Sequence, residues 1–302
     1  MKVLVTGGAG FIGSNVVEGL IDEGYRTVIV DNLSSGKQKF IHPEAKFYSL
    51  NILEDNLKTV FEKERPDAVI HLAAQINVQD SLEKSTLDAE VNILGTLKIL
   101  ELCRKYNCKL IYSSSAAVYG NPVYLPVDER HPINPLSNYG ISKYTPEMYI
   151  YLFSQLYSLD YTILRYANVY GIRQEPEGEG GVVSIFIKKM LNNEAPIIYG
   201  NGEQTRDFIY VKDVVSANLA ALKKDTRGVF NISCNKEISI NHLVDEINSL
   251  LNTKLTPIYK KFKSGDIIHS CLDNQLTIKK LDWNPEFSLR EGLKKTIEYY
   301  QL

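Results

Sequence analysis

Val3-Leu4-Val5-Thr6-Gly7-Gly8-Ala9-Gly10-Phe11-Ile12-Gly13 is the stretch that decides the fold. A short β-branched, apolar run ends in closely spaced glycines. Residues 11–22 then carry apolar side chains at helical spacing. The segment predicts a strand, a tight turn and a helix in immediate succession. Gly8, Gly10 and Gly13 satisfy GxGxxG, and Gly7, Gly10 and Gly13 satisfy GxxGxxG. Such glycines let backbone approach a pyrophosphate, and the helix N-terminus offers that anion unpaired N–H groups. Asp31 closes the next predicted strand, 18 residues beyond Gly13. A carboxylate there accepts from both ribose hydroxyls and repels a 2′-phosphate, so the expected dinucleotide is NAD rather than NADP.

Outward from this unit the pattern repeats. Strands are expected at 2–6, 27–31, 46–49, 68–71, 110–113 and 162–165. Helices are expected at 11–22, 55–64, 85–106 and 138–157. Strand alternating with helix implies an α/β fold, a Rossmann-type doubly wound parallel sheet, over residues 1–170. Residues 171–181 are rich in Gly and Glu and read as a boundary or as a loop closing over a site. A smaller C-terminal α/β lobe is expected over 171–302, with helices at 182–192, 211–222, 240–251 and 289–300 and strands at 197–199 and 229–232. Segments around 205–235 are expected to return to the first domain.

Composition narrows the function classes. The 302 residues carry 34 Lys+Arg against 36 Asp+Glu, so no basic field recruits nucleic acid or anionic lipid. No apolar run approaches the roughly 20 residues that span a bilayer. The four cysteines form no CxxC pair and the five histidines no HExxH, so no metal site is expected. The expected setting is cytoplasmic, with reduced thiols. His71, at a strand end, is expected to be structural.

Tyr139-Gly140-Ile141-Ser142-Lys143 places a phenol and an ammonium at i, i+4 on one helix face. An adjacent cation is expected to stabilise the phenolate and make Tyr139 a usable base. Ser113-Ser114-Ser115-Ala116-Ala117-Val118-Tyr119-Gly120 follows the fifth predicted strand, at the sheet end where a doubly wound fold binds ligands. Pro146 interrupts the predicted helix three residues after Lys143, and a kink is expected there.

These motifs, with Asp31-Asn32-Leu33-Ser34-Ser35-Gly36, His71-Leu72-Ala73-Ala74, Leu164-Arg165-Tyr166-Ala167-Asn168-Val169-Tyr170-Gly171, Arg206-Asp207-Phe208-Ile209-Tyr210-Val211 and Gly265-Asp266, carry a resemblance. The chain resembles the extended short-chain dehydrogenase/reductase family, and within it the UDP-glucose 4-epimerase group, over nearly its whole length. The resemblance implies NAD contacts at Gly7, Gly10, Phe11, Ile12, Gly13, Asp31, Asn32, Ser35, Gly36, Asn51, Ile52, Leu72, Ala73, Ala74, Asn92, Ser113, Tyr139, Lys143 and Tyr166. It implies a catalytic hydroxyl at Ser115, with Ser114 close by. Nucleotide-sugar contacts are implied at Asn168, Val183, Ile197, Tyr199, Arg206 and Asp266. Lys263 stands where the family usually has an Arg on the diphosphate, which supplies charge without a bidentate fork. Ser270 occupies a hexose-pocket position where a small residue is permissive to 2-acetamido sugars. Ala116-Ala117 replaces the acidic pair of related 4,6-dehydratases and the Glu of related decarboxylases. The implied activity is C4 epimerisation of a UDP-hexose. UDP-glucuronate 4-epimerisation is the alternative, and a non-catalytic NAD-binding sensor is the reading from another class. A homodimer is also implied, through helices near 82–106 and 138–158, where Met148, Tyr149, Tyr151, Leu152 and Leu156 leave a broad apolar surface.

Overall fold

The computed structural model describes residues 1–176, 181–262 and 267–301. The first half runs β1 (Lys2–Thr6), α1 (Phe11–Asp22), β2 (Arg26–Asp31), β3 (Lys46–Ser49), α2 (Leu57–Glu64), β4 (Ala68–His71), α3 (Val78–Glu83), α4 (Ser85–Ala89), α5 (Gly95–Tyr106), β5 (Lys109–Ser115), α6 (Asn138–Tyr157) and β6 (Tyr161–Tyr166). The second half adds β7 (Asn168–Tyr170), α7 (Val182–Leu191), β8 (Ile197–Tyr199), β9 (Thr205–Arg206), β10 (Phe208–Tyr210), α8 (Val211–Lys223), β11 (Gly228–Ile232), β12 (Ile238–Ser239), α9 (Ile240–Leu251), β13 (Ile258–Lys260), α10 (Gln275–Leu281) and α11 (Leu289–Gln301).

Seven strands form one parallel sheet in the order β11-β6-β5-β4-β1-β2-β3. Strand order reverses at β1, and a doubly wound sheet opens its ligand crevice at that point. Both faces are covered, which is why the strands read as nearly continuous apolar runs. In β1, Val3 and Val5 pack with Val16 and Leu20 of α1 and Val214 of α8. Leu4 faces the other way, onto Leu57, Val60 and Phe61 of α2 and Leu100 of α5. A side chain of this size, fully buried, stabilises by about 1.5–3 kcal/mol.

The second lobe is built on short pairs, β10-β7, β12-β9 and β13-β8. Its core sets Phe186, Ile187 and Met190 of α7 against Leu243, Val244 and Ile247 of α9 and Leu293 and Ile297 of α11. β11 leaves this half of the chain and pairs with β6 at the sheet edge.

One detail differs from the sequence expectations. The helix expected over 85–106 is α4, a single π-helical turn at Glu90–Leu94, and then α5. α6 runs as one helix of 20 residues with Pro146 inside it. Proline has no N–H, so the Ser142 carbonyl lacks its helical partner, but the helix does not end there. No described helix is long and apolar enough to cross a membrane.

Candidate active site

The C-terminal ends of β1, β2, β4, β5 and β6 open onto a cleft of about 790 Å³. Its floor is the glycine turn. Gly7 sits at φ +70°, and a Cβ there would lie 2.7 Å from the Ala73 nitrogen. A Cβ on Gly13 would lie 2.0 Å from the Gly7 carbonyl oxygen. Only glycine fits either place, and the result is bare backbone at the α1 N-terminus, where the first N–H groups lack helical acceptors. Asp31 closes the next side: its carboxylate accepts from the Ala9 N–H at 2.9 Å and the Leu33 N–H at 2.8 Å. A glycine-lined anion site beside a carboxylate suited to ribose hydroxyls fits NAD.

Behind the turn runs a buried hydrogen-bond chain. The Leu72 and Ala73 N–H groups donate to Thr6 Oγ1, each at 3.2 Å. Thr6 Oγ1 lies 2.7 Å from His71 Nδ1, and His71 Nε2 lies 3.0 Å from Thr96 Oγ1. Thr96 already donates to the Asn92 carbonyl at 2.6 Å, which assigns the imidazole proton to Nε2. Burial, with Lys143 nearby, pulls His71 down to about 3, so it stays neutral and structural. Asn92 continues the chain. Its Oδ1 accepts from the Gln75 N–H at 2.8 Å, and its Nδ2 donates to Ser142 Oγ at 2.9 Å.

α6 is capped by Ser137, whose hydroxyl accepts from the Gly140 N–H at 3.1 Å. Tyr139 is half-buried at the cleft, and Lys143 is buried one turn on. Burial pushes the Tyr139 phenol up to about 12; the hydrogen bond with Ser115 pulls the other way, and Asp88 adds to the rise. Lys143 donates to the Ser113 carbonyl at 2.8 Å and lies 5.4 Å from the centre of the Tyr112 ring. Burial pulls its ammonium down to about 8 against the carboxylates of Asp88 and Glu147. Desolvation dominates the phenol, and the group that favours its ionisation is Ser115.

The two serines separate cleanly. Ser114 Oγ donates to Glu147 Oε1 at 2.5 Å. Its one proton is committed there. Ser115 Oγ accepts from the Ala117 N–H at 3.2 Å, which leaves its own proton available to the phenol oxygen.

The cleft gathers Gly7, Gly10, Phe11, Ile12, Gly13, Asp31, Asn32, Ser35, Asn51, Ile52, Leu72, Ala73, Ala74, Ser113, Ser114, Ser115, Tyr139, Lys143, Tyr166 and Asn168. Gly36 and Asn92 do not line it. A Cβ on Gly36 would lie 2.9 Å from Asp31 Oδ1, so this glycine makes room for that carboxylate, and Asn92 acts through Gln75 and Ser142. Val183, Ile197, Tyr199, Arg206 and Ser270 belong to the second lobe and stand apart from the cleft lining. Arg206 donates to the Thr205 carbonyl at 2.7 Å and the Ile268 carbonyl at 3.3 Å, which brings it to the segment carrying Ser270. Lys263 and Asp266 lie outside the described residues. Among the described residues, no group of His, Cys, Asp and Glu could hold a metal ion. Sequence reasoning gave no role to Gln75, Asp88, Glu147 and Arg165. A signal existed for two of them: Glu147 lies two turns beyond Tyr139 on α6, and Arg165 is a charge inside a buried strand.

Comparison with known proteins agrees with this geometry. Residues 3–233 match the NAD dependent epimerase/dehydratase family. The chain is 49% identical to the putative UDP-glucose 4-epimerase of Methanocaldococcus jannaschii, over 98% of this chain and 97% of that one. The crystal structure of Thermotoga maritima UDP-glucose 4-epimerase with UDP-glucose is 45% identical, with TM-score 0.97 over 100% of this chain and 99% of that one. The UDP-glucose 4-epimerase of Thermus thermophilus, in complex with NAD, is 35% identical, with TM-score 0.93 over 100% and 99%. The glycine turn, the Asp31 carboxylate and the helix bearing Tyr139 and Lys143 meet in one cleft, and this chain belongs to the NAD dependent epimerase/dehydratase family.

Proposed function

We propose that this chain interconverts the C4 epimers of a UDP-hexose, UDP-glucose/UDP-galactose and UDP-GlcNAc/UDP-GalNAc, through a 4-keto sugar. The observation that carries the reading is that Ser115, Tyr139 and Lys143 line one cleft with the glycine turn, with only Ala116 and Ala117 directly beyond the serine. Tyr139 takes the proton from the sugar O4, and Ser115 steers it by sharing that oxygen's hydrogen bonding. NAD, when bound, supplies a cationic hydride acceptor for C4 and returns the hydride. Lys143 holds the nicotinamide ribose and keeps a positive charge near the phenol. Asn168 and the second-lobe residues Val183, Ile197, Tyr199 and Arg206 grip the UDP, so that the planar ketone can present its other face. Neither alanine offers an acid for elimination, so the keto sugar is reduced back.

The cleft's charge supports a neutral hexose over a uronate. Lys143 is the one cation among the described residues lining it, and it is hydrogen-bonded to Ser113. Glu175 lines the same cleft and would oppose a second carboxylate. The partner we propose is a second copy of the chain, seated on the exposed apolar residues Met148, Tyr151, Leu152 and Leu156 of α6.

The test is to incubate the purified protein, with no added NAD, with UDP-glucose, UDP-GlcNAc and UDP-glucuronate and to read the products by NMR. Epimers of the first two, formed with cofactor the protein already carries, are expected. In Tyr139→Phe, NAD should stay bound while most turnover disappears; undiminished turnover would remove Tyr139 as the base.

A further inference from the structure

Glu147 and Arg165 are nearly sealed from solvent, at 4% and 5% side-chain exposure. They meet as a fork: Arg165 Nε lies 3.0 Å from Glu147 Oε1, and Nη2 lies 2.5 Å from Oε2. Two further bonds complete the cluster. Ser114 Oγ donates to Glu147 Oε1 at 2.5 Å, and Arg165 Nη1 donates to Tyr119 Oη at 2.8 Å. Tyr119 in turn donates to Asn231 Oδ1 at 2.7 Å. Such a pair is a poor device for stability alone, because apolar residues of similar volume commonly hold a core as well or better. What it provides is a fixed relation between the elements it joins.

Those elements carry the reacting groups. Glu147 is on α6, two turns beyond Tyr139 and one beyond Lys143. Ser114 and Arg165 are register partners on β5 and β6, and Ser115 follows directly. The carboxylate thus ties the helix bearing the phenol to the strand end bearing its hydroxyl partner. It does so one residue past Pro146, where the helix's own bonding is interrupted. Tyr112 Oη also crosses from β5 to the Lys143 carbonyl, at 3.1 Å, but on the near side of that interruption.

We propose that Glu147 and Arg165 are positioning residues: by holding Ser114 against α6 they set Ser115 on the Tyr139 phenol. This rests on the reading of Tyr139 and Ser115 given above. Neither charged residue lines the cleft, so their effect is expected on kcat rather than KM.

The test uses three variants of the NAD-loaded protein, with whichever UDP-hexose the unaltered protein turns over. The pair Glu147→Leu with Arg165→Met removes both charges together and leaves no unpaired ion. It should fold, retain NAD and keep KM within about threefold, while kcat falls about 100-fold, the loss expected for a misplacement near 1 Å. Ser114→Ala removes only the tether on the strand side. It should lose about tenfold in kcat, and it should add nothing further in the charge-free background, because the same link is already gone. It should also raise the Tyr139 phenol in an ultraviolet difference titration, which a merely structural role would leave still. A folded, loaded charge-free variant with kcat within about threefold of the unaltered protein would overturn the proposal. If that variant fails to fold, Ser114→Ala decides alone, and unchanged kcat with an unchanged titration overturns it equally. Tyr139→Phe, run alongside, keeps the two readings apart. Full turnover there removes the base and this proposal with it, whereas loss there beside an unaffected Ser114→Ala removes the positioning role only.

Discussion

Replacing Gly13 by alanine should open the glycine turn and release the cofactor. The added Cβ would sit 2.0 Å from the Gly7 carbonyl oxygen, 2.8 Å from its carbon and 2.9 Å from the Gly8 Cα. Ordinary contact begins at 3.4 Å, so helix and turn must part by about 1.4 Å. Every obstructing atom is backbone, and no rotamer change relieves the clash. Retreat is blocked as well. The Gly7 N–H is bonded to the Val30 carbonyl at 2.9 Å, and the Gly7 Cα already faces the Ala73 backbone. Over-packing of this kind costs about 1–3 kcal/mol, with the upper end expected for a backbone clash. At about 2–4 °C per kcal/mol, Tm should fall by roughly 4–10 °C. The displaced N–H groups are those that face the pyrophosphate, and NAD affinity should weaken by about 100-fold, equivalent to about 2.7 kcal/mol. The assay is bound NAD per protomer after gel filtration, with Tm measured on the same samples. Gly24→Ala is the control. Gly24 has φ +78° but nothing within 4 Å of its Cβ position, so only left-handed strain of about 1–2 kcal/mol is added, and NAD should stay bound. If Gly13→Ala purified with full NAD and an unchanged Tm, the steric account of this turn would be wrong.

Other expectations follow from single features. Ser270→Tyr should suppress turnover of UDP-GlcNAc while sparing UDP-glucose; equal activity on both would place Ser270 outside the hexose pocket. Burial alone would raise Glu64, but hydrogen bonds from Lys46, Tyr48 and Lys2 outweigh it and hold the carboxyl at about 2. Its folded value lies below its unfolded one, so its stabilisation is complete above about pH 4.5 and is lost as pH falls through about 2. Glu64→Gln should flatten Tm against pH in that window, and an identical profile would count against the cluster. Met148→Asp with Leu156→Asp should convert a dimer to monomers in a solution mass measurement, since both side chains are more than half exposed on α6. Loading NAD should lower the Tyr139 phenol from its burial-raised value by about one unit or more, about 1.4 kcal/mol, in a difference titration against Tyr139→Phe. A phenol indifferent to loading would leave the base without a source of activation.

Much of the fold was legible because it is written locally. The β1–α1 turn needs glycine at named positions, and strand alternating with helix implies a parallel sheet whatever the tertiary details. Most of the expected cofactor residues, though not Gly36 or Asn92, reached one cleft because they sit just after strands, and strand ends converge by topology. The second lobe was harder to read. Its pairs, such as β9 with β12, are two or three residues long, too short for a period of two to show. The π-helical turn at Glu90–Leu94 was hidden because its residues suit an ordinary helix equally well.

The serines mark the sharper limit. Both serines line the cleft, and which one meets the phenol depends on what packs against β5. The deciding partner, Glu147, is 33 residues away, and its own partner Arg165 a further 18. Neither distance leaves a local pattern. The Tyr-x-x-x-Lys spacing leaves the protonation of the pair open for a related reason. It places the two groups on one helix face, but the strand carbonyl of Ser113 claims the ammonium and burial raises the phenol. A sequence motif can deliver side chains to a site; their protonation is set by what the sheet supplies behind them and by the charge of what binds in front. Here the sheet supplies one hydroxyl and one carbonyl, so on the proposed function the cationic cofactor is the element expected to complete the base, and the difference titration with and without NAD checks it.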